Sequence, residues 1–209
     1  MIDLYAIGTN NGQLAAIMLE ETGCAYTPRP LDLKKGEHRA PAFLAINPVG
    51  KIPAIVDRDG PGGETVTVFE TLAIALYLCD KTGKLMPADL ANRALAYKWA
   101  AVAAANLAPT MSIQFQLRRN VPDTSGPSLE YLGTQVDRYL ATFENRLAEA
   151  EYLAGEFSFA DVQVYPIVVS VAPYLDKGLE PYPNLQRWSD AVAARPAVER
   201  GMNALPPLS

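Results

Sequence analysis

The chain of 209 residues is 49% hydrophobic, which is enough apolar material for a substantial core in one large domain or two small ones. Its net charge is -5 and its 18 Lys and Arg residues are scattered, so the composition predicts that nucleic acid is not a ligand. Its cysteines, Cys24 and Cys79, lack the CxxC spacing of a zinc site, and with His38 as the one histidine no metal is expected.

The first 82 residues alternate strand and helix patterns. Strands are predicted at residues 2–7, 26–33, 54–57 and 65–69, and helices at residues 13–21, 41–46 and 70–81. Gly23 ends the first helix, and Pro28 and Pro30 place the second strand at an edge of the sheet. The Gly-rich turn 59–63 joins the last two strands. This order of elements predicts a thioredoxin-like α/β domain over residues 1–82.

The second half of the chain reads as helix throughout. Residues 83–89 have the composition of a linker, and an all-α helical domain is predicted over residues 90–209. Residues 91–116 are rich in Ala and predict a central helix, bent or interrupted at Pro109. The next helix has one apolar face, because its apolar residues recur at spacings of three and four: Leu129, Leu132, Val136, Leu140, Phe143 and Leu147.

Two segments bear on where the protein resides. The N-terminus, Met1 to Tyr5, lacks the basic segment and apolar block of an export signal, which predicts a cytoplasmic protein. The uncharged stretch 99–117 approaches membrane-spanning length but contains five residues that a membrane span disfavours, namely Asn106, Pro109, Ser112, Gln114 and Gln116. It is therefore interpreted as a buried helix, and no membrane partner is expected.

A capping box is predicted at Phe157-Ser158-Phe159-Ala160-Asp161. Ser158 and Asp161 have the spacing at which each side chain reaches the other's backbone amide at the start of a helix. The motif is structural, and its loss is expected to cost about 1 kcal/mol.

Three short segments carry candidate chemistry: Thr9-Asn10-Asn11-Gly12, Ile52-Pro53 and Glu70-Thr71. From residue chemistry alone, Thr9 caps a helix and Asn11-Gly12 forms a tight turn, or Thr9 and Asn11 donate hydrogen bonds to an anion. Pro53 starts a strand and Glu70 starts a helix on the simplest reading. Both cysteines have apolar neighbours and are interpreted as small buried residues rather than nucleophiles.

The order of these segments, with the capping box and the ending 183–196, resembles the cytosolic glutathione S-transferase family over nearly the whole chain. The Thr9-Asn10-Asn11-Gly12 segment is most similar to the bacterial nu class, whose active site is T-x-N-G where other classes place Tyr, Ser or Cys. The resemblance implies that glutathione is the co-substrate and that Thr9 and Asn11 are the catalytic pair that stabilises its thiolate. Tyr5 is a competing donor, because some transferases use an N-terminal tyrosine.

The resemblance also implies the glutathione-binding residues. A cis Ile52–Pro53 bond turns the amide and carbonyl of Ile52 toward the cysteinyl backbone of the ligand. Glu70 pairs with the ligand ammonium, and Thr71 receives its α-carboxylate. His38 and Lys51 are the candidates at the glycine carboxylate, although each is also consistent with a solvated side chain.

Three functions remain open on these residues. The leading one is a detoxifying glutathione transferase acting on a small electrophile, and the second is a glutathione-dependent disulfide-bond oxidoreductase or peroxidase without a catalytic cysteine. The third is a non-catalytic binding or scaffold protein. The resemblance implies a homodimer.

The second substrate is expected to meet an apolar wall in the helical domain, for which the candidates are Met111, Phe115, Tyr165 and Tyr174. One residue departs from the nu-class pattern. Tyr131 stands where members that bind glutathione disulfide use an arginine from the partner subunit, which argues against tight binding of a second glutathione.

Overall fold

A computed structural model describes residues 1–121 and 126–208. The chain divides into two compact units, one formed by residues 1–86 together with the residues from 192 onward, and the other by residues 87–191. The sequence prediction instead assigns all of residues 90–209 to the helical domain. The last residues group with the first unit because the final helix packs along the first helix of the chain.

The first unit is built on a four-stranded mixed sheet. Its strands are β1 (Ile2–Tyr5), β2 (Tyr26–Pro28), β3 (Ala54–Asp57) and β4 (Val66–Phe69), in the order β2-β1-β3-β4. The β1 and β2 strands are parallel, and the other neighbours are antiparallel. The predicted edge position of β2 is confirmed. This strand is shorter than predicted, since Pro28 and Pro30 cannot donate amides to a continued ladder.

Four α-helices accompany this sheet: α1 (Asn10–Thr22), α2 (Pro41–Leu44), α3 (Thr71–Thr82) and α9 (Pro196–Asn203). The first helix begins three residues earlier than predicted, because Thr9 caps it. Asn11 and Gly12 lie within its first turn and neither has a positive φ, so the tight-turn alternative is wrong. The helix ends at Gly23 in the left-handed conformation, as predicted.

A buried carboxylate ties the central strand β1 to both of its neighbours. Asp3 is 2% exposed and accepts hydrogen bonds from Arg29 Nε at 3.0 Å and from Arg58 Nη2 at 2.7 Å. Burial by itself would raise the pKa of this carboxyl, but the hydrogen bonds from Arg58 and Arg29 outweigh burial and lower it. Asp3 therefore stays ionised and connects the residues that follow β2 and β3.

The second unit is helical, in agreement with the predicted fold class. It contains α4 (Leu90–Val102), a π-helical segment (Ala103–Leu107), α5 (Ala108–Asn120), α6 (Gly126–Glu149) and α7 (Phe159–Val171), followed by α8 (Pro183–Ala193). The predicted interruption near Pro109 is confirmed, although it takes the form of the π-helical segment just before that proline. Pro109 itself lies in the first turn of α5, where a missing amide is tolerated.

The buried helix of this unit is α7 and not the predicted stretch 99–117. Eleven of the 13 residues of α7 are buried, whereas α5 has no buried residue in the single chain. The prediction of a buried helix is therefore wrong for the α5 part of that stretch. The predicted apolar face of α6 is confirmed at four buried positions: Val136, Leu140, Phe143 and Leu147.

The capping box at the start of α7 is confirmed. The Ser158 hydroxyl accepts a hydrogen bond from the amide of Ala160 at 3.3 Å, and Asp161 accepts one from the amide of Ser158 at 2.9 Å. The Asp161 carboxylate also accepts from Trp188 Nε1 at 2.8 Å and from the amide of Leu153 at 3.1 Å. Burial raises the pKa of Asp161 to about 6 against the effect of these donors. Asp161 is thus the polar centre of the helical core.

None of the helices within the described ranges is both long and apolar enough to cross a membrane.

Candidate functional site

The predicted site residues of the first unit converge at one end of its sheet. Tyr5, Ala54 and Phe69 pair side by side across β1, β3 and β4. Thr9 follows the end of β1, Pro53 precedes the start of β3, and Glu70 follows the end of β4. Because β3 runs antiparallel to β1 and β4, these three segments lie at the same end of the sheet although they are distant in sequence.

The segment after β1 places the Thr9 hydroxyl and the Asn11 side-chain amide at the start of α1. Thr9 is the N-cap, and its Oγ1 accepts a hydrogen bond from the amide of Gly12 at 3.2 Å. Accepting this bond leaves the hydroxyl proton of Thr9 available for donation. The Asn11 side chain is half-buried and forms no hydrogen bond with another described residue. Both donors lie at the positive end of a 13-residue helix, which favours an anion.

The turn before β3 is organised by a buried asparagine. Asn47 is 2% exposed, donates from Nδ2 to the carbonyl of Lys51 at 2.6 Å and accepts from the amide of Val49 at 3.0 Å. These bonds hold residues 47–51 in a closed loop that leads into Ile52 and Pro53. The Ile52–Pro53 peptide bond is cis, as the resemblance implied.

The structure also brings His38 close to this turn. Gly50, at φ 65°, lies so near that a Cβ there would be 3.2 Å from the backbone oxygen of His38. The Nδ1 atom of His38 is buried and forms no hydrogen bond in the described chain, whereas Lys51 is exposed. The two residues expected at the glycine carboxylate thus lie on neighbouring segments.

Glu70 stands between β4 and α3 in a backbone conformation that is rare for a residue with a side chain. Its φ is 70° and its ψ is 127°, outside the regions that L-residues favour. Such a conformation costs on the order of 1–3 kcal/mol and is concentrated at functional sites. The Glu70 carboxylate is exposed and forms no hydrogen bond or ion pair with another described residue. Thr71 follows as the first residue of α3, so its amide lies at a helix start.

Two family models match this chain along most of its length. The glutathione S-transferase N-terminal domain matches residues 2–80, and the glutathione S-transferase C-terminal domain matches residues 99–196. The chain belongs to the glutathione S-transferase family. The family therefore accounts for both units, and the nu class remains a prediction.

Relatives within the family carry two kinds of name. Disulfide-bond oxidoreductase YfcG of Escherichia coli (strain K12) is 33% identical over 97% of this chain and 94% of its own. Glutathione S-transferase 3 of Zea mays is 34% identical over 91% of this chain and 88% of its own. A glutathione transferase from Burkholderia graminis, solved with two glutathione molecules bound per subunit, superposes with a TM-score of 0.91 at 33% identity, covering 97% of this chain and 88% of that one.

Tyr5 and the cysteines are less suited to glutathione S-transferase chemistry than Thr9 and Asn11. Tyr5 ends β1 and its ring packs against Phe43 with centroids 5.9 Å apart. Cys79 is 1% exposed, and burial raises the pKa of its thiol to about 12, so its reactive thiolate is scarce at neutral pH. Cys24 is half-buried. The described residues contain no cluster of three or more side chains able to hold a metal ion.

The residues expected to form a second-substrate wall do not share one environment. Tyr165 is 6% exposed and packs edge-on against Trp188, so its assignment to the wall is wrong and it belongs to the core. Phe115 and Tyr174 are exposed, and Met111 is half-buried. Tyr174 lines a cavity of about 590 Å³ between α5, α6 and the loop after α7. Met111, Phe115 and Tyr165 are not among the residues that line this cavity.

Sequence patterns missed the residues that hold the candidate site segments in place without belonging to the predicted site. Asn47 begins an Asn-Pro sequence that is a usable turn signal, but its hydrogen bond to the carbonyl of Lys51 was not predicted. The C-terminal residues Leu205 and Pro206 also contact the segment around Thr9, at Gly12 and Gly8 respectively. No local pattern marks those contacts, because the partners are almost 200 positions apart.

Proposed function

We propose that this protein is a glutathione transferase in which the Thr9 hydroxyl and the Asn11 amide stabilise the thiolate of glutathione for attack on a small electrophile. The observation that carries the proposal is the geometry at the start of α1. The Thr9 oxygen accepts a hydrogen bond from the Gly12 amide and keeps its proton for donation, and the side-chain amide of Asn11 has no partner among the described residues.

The required stabilisation is of a size that these groups can provide. A thiol with a pKa near 8.5 is mostly protonated at neutral pH, and lowering that pKa by about two units takes roughly 2.7 kcal/mol. Two charge-assisted hydrogen bonds and the positive end of α1 together supply energies of this order. In the transfer itself, the sulfur forms a bond to the electrophilic carbon of a chlorinated nitroaromatic, chloride leaves with the bonding electrons, and the thiol proton goes to solvent.

Binding of glutathione is assigned to the other segments of the same sheet end. The Ile52 backbone before cis Pro53 pairs with the cysteinyl part of the ligand, and Glu70 with Thr71 holds its γ-glutamyl end. His38 and Lys51 receive the glycine carboxylate. The two glutathione molecules bound per subunit in the Burkholderia graminis relative support glutathione as the ligand.

A second candidate function is disulfide reduction, favoured by the relative named a disulfide-bond oxidoreductase. One glutathione thiolate attacks a disulfide, forms a mixed disulfide and releases a thiolate. A second glutathione thiolate then attacks the mixed disulfide, which yields glutathione disulfide and a second thiolate. Neither step needs a protein cysteine, in keeping with the burial of Cys79.

We also infer that the protein is a cytoplasmic homodimer, as are the cytosolic transferases that it resembles.

The test of thiolate stabilisation is a pH titration of the glutathione complex, followed by the ultraviolet absorbance of the thiolate. We expect the wild-type thiol pKa to lie below that of free glutathione. Asn11→Ala and Thr9→Val are expected to raise it, whereas Thr9→Ser keeps the hydroxyl and leaves it close to the wild-type value. Tyr5→Phe is the matched control, and a pKa that moves only in Tyr5→Phe would show that the donor is misassigned.

Steady-state rates separate the two candidate functions. The same variants are assayed with a chlorinated nitroaromatic and with a mixed disulfide of glutathione. Conjugation that greatly exceeds disulfide reduction supports the transferase, and the reverse ratio favours the oxidoreductase.

A further inference from the structure

We propose that the C-terminal tail, defined as residues 204–208, positions the loop that carries Thr9 and Asn11 and thereby sets the reactivity of the bound thiol, with Leu205 and Pro206 as the positioning residues. The inference rests on the proposed function, since it concerns the same thiolate. It adds residues from the far end of the chain that do not touch the reacting atoms.

A direct hydrogen bond joins the tail to the loop. The amide of Gly8 donates to the carbonyl of Pro206 at 2.7 Å, and Gly8 forms a parallel bridge with Pro207. The next amide, that of Thr9, donates to the carbonyl of Ile7 at 2.7 Å, which closes a three-residue turn centred on Gly8. The residue immediately before the Thr9 cap is therefore held by the tail, and the Thr9 amide is held by the carbonyl of Ile7.

Glycines allow this close approach. A Cβ on Gly8 would lie 2.9 Å from the Pro206 carbonyl oxygen, a distance that real Cβ contacts do not show. A Cβ on Gly12 would lie 3.3 Å from Leu205 Cδ1 and 2.1 Å from the carbonyl oxygen of Ile7. Leu205 is 8% exposed, so its side chain is buried against the first turn of α1. The tail thus contacts the loop on both sides of Thr9.

The tail is itself fixed to α1, so its position relative to the loop is determined. Arg195 forms two hydrogen bonds with the Glu21 carboxylate at 2.7 and 2.8 Å, and Glu21 is 7% exposed at its side chain. Gln13 donates to the carbonyl of Met202 at 3.3 Å. Gly201 packs so tightly that a Cβ there would lie 2.6 Å from the backbone of Ile17. The helix α9 is therefore clamped along α1 up to the residue where the tail begins.

A displacement of the loop should affect thiolate stabilisation more than binding of glutathione. Hydrogen bonds to a developing or full charge depend steeply on donor placement, and shifts of about 1 Å have large effects on chemistry. Ile52 and Glu70 lie on other segments and form no described hydrogen bond with the tail. A substitution or truncation that disturbs the tail is thus expected to raise the pKa of the bound thiol while most of the affinity for glutathione remains.

The experiment compares three variants of the full chain. Gly8→Ala forces the Pro206 carbonyl away, Leu205→Ala removes the packing on Gly12, and a stop after Asn203 removes the tail. Gly133→Ala is the matched control, because it lies in α6 and the nearest atom to its Cβ would be 3.8 Å away. Each variant is titrated for the thiol pKa in the glutathione complex and measured for glutathione affinity by calorimetry.

We expect the thiol pKa to rise by about one unit in the tail variants, which is a tenfold change in the thiolate-to-thiol ratio, with affinity reduced by less than about fivefold. If the truncated chain does not fold, Leu205→Ala decides the question. A lowered wild-type pKa that is unchanged in Leu205→Ala, or raised equally in Gly133→Ala, would overturn the role of the tail alone. A wild-type complex whose thiol pKa equals that of free glutathione would overturn the proposed function, and this inference with it.

Discussion

At the scale of the residue, Thr9 combines two hydrogen-bonding roles in one hydroxyl group. Its oxygen accepts from the amide of Gly12, which satisfies one of the free amides at the start of α1. Because a hydroxyl has one donor and two acceptor sites, capping does not consume its proton. The capping and the catalytic interpretations of Thr9, which compete on sequence chemistry, are therefore compatible in the structure.

Glu70 has a positive φ of 70°, a backbone conformation that is concentrated at functional sites. Glu70→Ala should weaken glutathione binding by roughly 1.5–3 kcal/mol, since a charge-assisted contact with the ligand ammonium is lost. Calorimetry measures this as an increase in Kd of about 10- to 100-fold. Glu64→Ala is the control, as it removes an exposed carboxylate from the turn between β3 and β4. Equal affinity in the wild type and Glu70→Ala would remove Glu70 from the site.

At the scale of the element, the start of α7 depends on a buried cap. Ser158 is fully buried and its side chain both accepts from the amide of Ala160 and donates to Asp161. The other oxygen of the Asp161 carboxylate accepts hydrogen bonds from Trp188 Nε1 and from the amide of Leu153. The cap therefore connects the start of the most buried helix with two other parts of the helical unit.

Ser158→Ala should lower the free energy of unfolding by about 1–2 kcal/mol, because the Ala160 amide loses its acceptor and Asp161 loses a donor. Chemical denaturation measures the change. Ser170→Ala is the control, as Ser170 lies in the same helix and is half-buried, with its hydroxyl donating to the carbonyl of Ile167 at 2.8 Å. We expect a smaller loss there, since no orphaned amide results. A loss in Ser170→Ala as large as that in Ser158→Ala would contradict a specific role for the cap.

At the scale of the whole molecule, α5 presents apolar side chains that the single chain does not bury. Ile113 and Phe115 are 50% and 52% exposed, and no residue of this helix is buried. A helix of this kind normally gains its stability by packing against something. A second copy of the chain is the partner that the family resemblance implies.

The protein should therefore have twice the 22.6 kDa mass of the single chain in solution. Light scattering over a dilution series into the micromolar range measures this mass directly. A mass equal to the single chain at all concentrations would contradict the homodimer.

Local patterns in the sequence were sufficient for most elements of the fold. The period-two strands, the Gly23 helix end and the Ser158–Asp161 box each depend on residues a few positions apart, and the structure confirms them. The cis Ile52–Pro53 bond was predicted by family resemblance and not by residue chemistry. The boundaries were less well predicted, because the early start of α1 and the short β2 depend on how neighbouring segments satisfy their amides.

The sequence by itself thus determined the two-part α/β and helical architecture and the family, and it proposed the candidate site residues, which remain predictions. Only the tertiary structure decided that α7 rather than α5 is buried, that Tyr165 belongs to the core, and that residues from 192 onward return to the first unit. The physical reason is the range of the interactions. Periodicity and capping act within one or two turns, whereas the contact of Pro206 with Gly8 depends on α9 packing along α1, which no local pattern encodes.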